Sequence, residues 1–218
     1  MGYEAATPNN QTVAILHRLA RPRGVEEQCE FCSSPIAPIH RHLLEPAKRA
    51  IICACDACAL RFQNVVAGRF RLIPRQVRSF SDFRMTEGQW DGFALPINLA
   101  FFHRDTPGGK VIAMYPSPAG ATESLLPSRN WEQLEADNPA LAEMESDVEA
   151  LLVNRVGTAR EYFITPIDVC YELVGLIRKH WRGLSGGETA WLEIEKFFAA
   201  LREKADPSQP NKTEALHA

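Results

Sequence analysis

No stretch of this 218-residue chain approaches the ~18 consecutive apolar residues of a membrane-spanning helix. Residues 1–11 lack the basic start and apolar core of a secretory signal, so a cytoplasmic, non-inserted protein is expected. Cysteine is nearly missing outside one segment. Five of the six fall between Cys29 and Cys58, too local for a disulfide framework that staples the whole chain. The sequence also has no Gly-x-Ser-x-Gly, His-Glu-x-x-His or dinucleotide fingerprint, which removes the usual signatures of three enzyme classes. It has no internal repeat, no low-complexity tract and no aromatic–basic RNA motif. With 45% apolar and 23% charged residues, gross disorder is excluded.

Charge is present but uneven. From Ile15 to Arg84 there are 12 Lys/Arg against 6 Asp/Glu, and from Met85 onward 12 against 20. Much of the positive excess lies in Arg61, Arg69, Arg71, Arg75, Arg78 and Arg84. Such a stretch fits either an anionic partner, such as nucleic acid, or an internal complement to the acidic half.

The cysteines themselves are the strongest signal. Cys29-x-x-Cys32 and Cys55-x-x-Cys58 are two pairs separated by 22 residues. Two residues between paired cysteines let a tight turn aim both thiolates at one ion, and two pairs supply four soft ligands for a closed tetrahedral site. Zinc is the expected ion, and a single iron has the same ligand requirement. Between the pairs, residues 37–44 and 49–54 read as strands joined by a turn at Glu45-Pro46-Ala47-Lys48, and a helix should open at Asp56. Knuckle, hairpin and helix together resemble a treble-clef zinc module. Amides at the helix start should favour the thiolate forms of Cys55 and Cys58.

Three further residues exceed what such a site needs: His40, His42 and Cys53. Alternation puts both histidines on one strand face, and a two-residue turn at Pro46-Ala47 would set His40 opposite Cys53 and His42 opposite Ile51. They fit three roles: ordinary hairpin residues, outer support that donates to cysteinate sulfur, or exchange ligands and a second metal site.

The rest of the chain reads as an α+β domain. Residues 68–74 are strand-like, and Thr86-x-x-Gln89 is a capping box that starts a short helix. Residues 97–104 and 110–115 flank Pro107-Gly108-Gly109 as a hairpin, 131–136 form a helix and 161–165 a strand; 148–156 fits a strand or a helix. Residues 115–124 read as a loop. Thr165 is the expected N-cap of a helix with Ile167, Cys170, Leu173, Val174, Ile177 and Trp181 on its apolar stripe. Cys170 is thus a core thiol, while His103 and His180 are isolated. A turn at 183–187 leads to a final helix over 188–204. The expected organisation is an N-terminal helix and linker (1–24), a four-cysteine zinc module (25–66), an antiparallel-sheet domain with packed C-terminal helices (67–204) and a polar tail (205–218).

The segments CEFC, HRHLL and ICACDACALRF, with YPSPAGATESLLP, DVEALLVNR, PIDVCYELVG and HWRGLSGG, resemble an uncharacterised bacterial family. Its members are often encoded near nickel–iron hydrogenase genes. The resemblance implies a context and carries no established activity; joined to the cysteine module, it leads to the expectation of a zinc-binding accessory protein that acts on hydrogenase assembly, stability or electron transfer by contacting a hydrogenase subunit or maturation factor. Two other readings come from the residues themselves. One is nucleic-acid binding through the module and the arginines between 61 and 84. The other is a metal or redox enzyme with an open site at His40, His42 and Cys53.

Overall fold

The computed structural model describes residues 27–65, 69–124, 126–183 and 185–207. The helix expected at 10–21 and the tail beyond 207 lie outside the described residues. No helix among those described is long and apolar enough to cross a membrane.

The four-cysteine segment builds a small three-stranded sheet. Strand β1 (Arg41–Glu45) and strand β2 (Ala50–Ala54) form the hairpin, and helix α1 (Asp56–Val65) follows. Strand β3 (Arg71–Leu72) adds to the other side of β1, giving the order β2-β1-β3. The hairpin register differs from the expected one. The loop holds a 3-10 turn over Pro46–Lys48 plus Arg49 in the left-handed region (φ 51°), two residues more than a tight turn. The strands therefore pair His42 with Cys53 and Leu44 with Ile51, and His40 lies beyond the paired strand. A two-residue slip keeps every side chain on its face, which is why the hydrophobic pattern alone does not reveal it.

Successive residues of β1 point into different cores. Leu43 packs with Cys29, Ala54, Ala59 and Phe70, where Phe31 stacks on Phe62 at 4.2 Å. Leu44 joins a larger cluster with Ile73, Phe101, Ile167 and Leu173, and Ile51 packs against it from β2.

The second sheet has seven strands in the order β10-β4-β9-β8-β5-β6-β7: β4 (Arg78–Ser79), β5 (Leu99–Asp105), β6 (Lys110–Ser117), β7 (Gly120–Ser124), β8 (Glu149–Asn154), β9 (Glu161–Pro166) and β10 (Asp206–Pro207). All neighbours are antiparallel except β10 on β4. Both faces are covered, so the central strands read as nearly continuous apolar runs. Phe101, Leu152 and Phe163 face helices α4 (Ile167–His180) and α5 (Gly187–Lys204). Phe102, Leu151 and Ile164 face the opposite cover, which contains Trp90 of α2 (Glu87–Asp91) and Trp131 and Leu134 of α3 (Ser128–Asp137).

The capping box at Thr86 forms as expected, with Gln89 N donating to Thr86 Oγ1 at 3.1 Å and Thr86 N to Gln89 Oε1 at 2.8 Å. The segment around 148–156 is a strand. Two further expectations are corrected. Residues 115–124 form a hairpin, because Tyr115 continues β6 and Gly120 (φ 130°) turns the chain into β7. Thr165 does not cap α4: Pro166 holds the N-cap position, and the Thr165 hydroxyl lies 3.3 Å from Cys170 Sγ.

Candidate metal centre

The Cys29–Cys32 turn closes on its own backbone. Cys29 N donates to Ser34 O at 2.9 Å and Ser33 N to Cys29 O at 2.7 Å, with Ser33 left-handed (φ 60°). Glu30 N donates to Cys53 O at 2.9 Å, which pins this turn against β2. The second pair sits where β2 gives way to α1. Ala59 N donates to Cys55 O at 2.9 Å, and Cys58 N points at Cys55 Sγ from 3.5 Å. The sulfurs of Cys29, Cys32, Cys55 and Cys58 thereby come within 4.8 Å of one another. Cys32 Sγ and Cys55 Sγ are 3.8 Å apart. A tetrahedral zinc with bonds of about 2.3 Å places its sulfurs about 3.8 Å apart, so this donor set fits one ion and could hold it.

The electrostatics of the four thiols diverge. The Ser34 hydroxyl, then its amide, then Cys29 lower Cys32 to about 6. Burial raises Cys29, but the amides of Cys55, Cys32 and Phe31 outweigh it and the net direction is down. Burial, followed by the three neighbouring sulfurs, pushes Cys58 up to about 12. Four adjacent thiolates repel, and a divalent cation would remove that conflict by displacing the protons.

His40, His42 and Cys53 form a second cluster whose ligand atoms also lie within 4.8 Å of one another. His42 Nδ1 is 2.6 Å from Asp168 Oδ2, and His40 Nδ1 is 2.9 Å from Ala37 O and 3.4 Å from Glu27 Oε2. The two Nε2 atoms approach to 3.0 Å with the rings nearly perpendicular, at 85°. Cys53 N donates to Glu30 Oε1 at 2.7 Å, and burial followed by the Glu30 and Glu27 charges pushes the Cys53 thiol up. Sequence reasoning found the three side chains but missed Asp168, which lies 126 residues from His42 in the chain.

Three of the six arginines of the basic stretch pair with buried carboxylates, while Arg61, Arg75 and Arg84 are exposed. Arg69 pairs with Glu45 at 3.0 Å, Arg71 with Asp147 at 3.1 Å and Arg78 with Glu149 at 3.1 Å, so these guanidiniums complement internal carboxylates. Cys170 is fully buried on α4, as its place on the apolar stripe predicts, and burial pushes it up to about 12. His103 is buried on β5 with no hydrogen-bond partner for Nδ1.

No curated protein and no solved structure matches the chain. The model of a family of unknown function matches residues 28–205, a span that takes in both cysteine pairs and the whole second sheet except its last strand.

Proposed function

The chain belongs to that family, DUF5947, and from its converging sulfurs we propose that it is a cytoplasmic zinc-binding accessory protein working through protein–protein contact. One observation carries the reading: two pairs 22 residues apart in sequence place four sulfurs within 4.8 Å of one another, with a 3.8 Å separation that suits a tetrahedral ion. A closed set of four cysteines leaves no place for substrate, so the ion's role is to hold the module in shape. A treble-clef-like description suits the knuckle, the β1–β2 hairpin and α1. Zinc is favoured over iron because closed four-cysteine sites of this kind are structural.

The finer reading is support of nickel–iron hydrogenase assembly, stability or electron transfer, through a hydrogenase subunit or maturation factor. It rests on the genomic neighbourhood implied by the sequence resemblance. Metal analysis with an absorption spectrum of the purified chain tests the first part: tightly held zinc in a colourless protein is expected, lost in Cys58→Ser. Iron with visible charge-transfer bands, or wild-type metal content in Cys58→Ser, overturns it. Affinity capture with the tagged chain tests the second. Recovery of a hydrogenase subunit or maturation factor is expected, whereas unchanged hydrogenase activity and subunit recovery after gene deletion overturns it.

A further inference from the structure

We propose that His40 Nε2, His42 Nε2 and Cys53 Sγ form a second metal centre, for a zinc-class divalent cation with its fourth position open to water or a small exogenous ligand. The argument starts from hydrogen-bond inventory. Each histidine points Nδ1 at an atom that can only accept: a carboxylate oxygen of Asp168 for His42, and the Ala37 carbonyl with the Glu27 carboxylate behind it for His40. Each Nδ1 therefore carries a proton, and a ring with that one proton presents a bare lone pair at Nε2. Those two lone pairs face one another across 3.0 Å. Without something electron-poor against them they repel.

A cation accounts for more of the geometry than a shared proton does. Bonds of about 2.0–2.1 Å from a tetrahedral ion set two ring nitrogens roughly 3.3 Å apart, close to the observed separation. The perpendicular rings let both nitrogens reach one point without their edges colliding. A third, soft donor is already there, since Cys53 Sγ lies within 4.8 Å of a ring nitrogen of each histidine. A proton shared between two imidazoles gives that cysteine no role. Behind the ligands stands the outer arrangement typical of metal-bound histidine, with the non-ligating N–H given to a carboxylate or a carbonyl. Two imidazoles and one thiolate are borderline in softness, which suits zinc better than calcium or magnesium. No fourth side chain joins the cluster among the described residues, and His42 is partly exposed, so solvent reaches the open position. His42 and Cys53 are register partners on β1 and β2, while Asp168 lies in the first turn of α4. The centre thus straddles the module and the large sheet's helical cover.

The test uses the full chain saturated with zinc and desalted. Two ions per chain are expected, the second leaving first to a weak chelator because only three protein atoms hold it. Cys53 should be protected from alkylation while that ion is bound. His42→Ala and Cys53→Ser should each reduce the count to one. Asp168→Ala, which keeps all three ligands, should weaken the second ion 10- to 100-fold and leave the first unchanged. Cobalt loading gives a separate signature: a four-sulfur spectrum for the first ion and a mixed nitrogen–sulfur spectrum for the second. One ion per chain, with Cys53 alkylated at the same rate with and without zinc, overturns the proposal in favour of a shared proton only. Wild-type stoichiometry and Cys53 protection decide the matter even where His42→Ala fails to fold. Cys58→Ser separates the two centres, because it should abolish the four-sulfur spectrum and spare the mixed one.

Discussion

Asp147 is where the cysteine-bearing sheet is tied to the large one, and its loss can be costed from the contacts it makes. Its carboxylate is 4% exposed and accepts three bonds: Thr106 N at 2.7 Å and Thr106 Oγ1 at 2.6 Å, both from the loop after β5, and Arg71 Nη1 at 3.1 Å from β3. Its backbone is left-handed (φ 65°). Asp147→Ala removes all three bonds and leaves donors unpaired. At roughly 1.5 kcal/mol for each Thr106 bond, about 1 for the solvent-screened Arg71 pair and about 1 for an alanine forced left-handed, the cost is about 5 kcal/mol. In a chain of this size each kcal/mol lowers the melting temperature by about 2–4 °C, so a fall of about 10–20 °C is expected. Asparagine tolerates the left-handed backbone and keeps the Thr106 N bond, and its amide can donate to the Thr106 hydroxyl. Asp147→Asn therefore loses mainly Arg71, about 1 kcal/mol or 2–4 °C. Thermal melts of the zinc-saturated variants, with Arg71→Ala closing a double-mutant cycle, measure both numbers. Equal melting temperatures for the Ala and Asn variants, or a cycle with no coupling between Arg71 and Asp147, refute the reasoning.

Removing zinc with a strong chelator should release amide protection around Leu43, Ala54 and Ala59 while Phe101 and Leu152 stay protected; simultaneous loss everywhere contradicts a module that depends on its ion. Gly186→Ala should cost about 2–4 kcal/mol in denaturant titration, because a Cβ there meets the Trp181 ring at 2.9 Å on a backbone with φ 88°. Gly120→Ala (φ 130°, open space) should cost only about 1 kcal/mol, and equal losses count against the steric argument. Cys170 should resist thiol reagents at pH 8 in the native protein and react only on unfolding; rapid labelling of the native chain contradicts its burial. Burial, opposed by Asp105, lowers His103 below the ordinary histidine value of about 6.5, with Arg49 adding to the drop and Asp147 and Glu123 resisting it. The unfolded chain then binds a proton that the folded one refuses, so His103 weakens stability as pH falls below about 6.5. His103→Gln should show a shallower loss between pH 7 and 5, and an unchanged slope removes His103 as the cause.

The helices and the central hairpin were legible because their signals are local. Thr86 and Gln89 are three residues apart, the α4 stripe repeats every turn, and Pro107-Gly108-Gly109 punctuates β5 and β6. The two cysteine pairs were legible because their spacing is itself the geometry of a ligand turn. Other features depend on residues distant in sequence. β4 and β10 are two residues each and exist only because β9 and β4 offer an edge. The hairpin loop hid its length because Arg49 adopts a left-handed conformation that glycine or asparagine would have advertised. Asp168 behind His42 carries no local mark. Residues 115–124, dense in proline and small side chains, look like a loop and yet pair along β6 because Gly120 supplies the turn.

The alternation along β1 has a consequence for how this segment tolerates changes in length. With Leu43 committed to one interior and Leu44 to another, the strand serves as a dividing wall with tenants on both sides. Inserting or deleting one residue between His42 and Leu44 would put the two on opposite faces, so that either Leu44 changes sides or His42 turns away from Asp168. Length variation among natural relatives should therefore collect at the Pro46–Arg49 corner and avoid the strand itself.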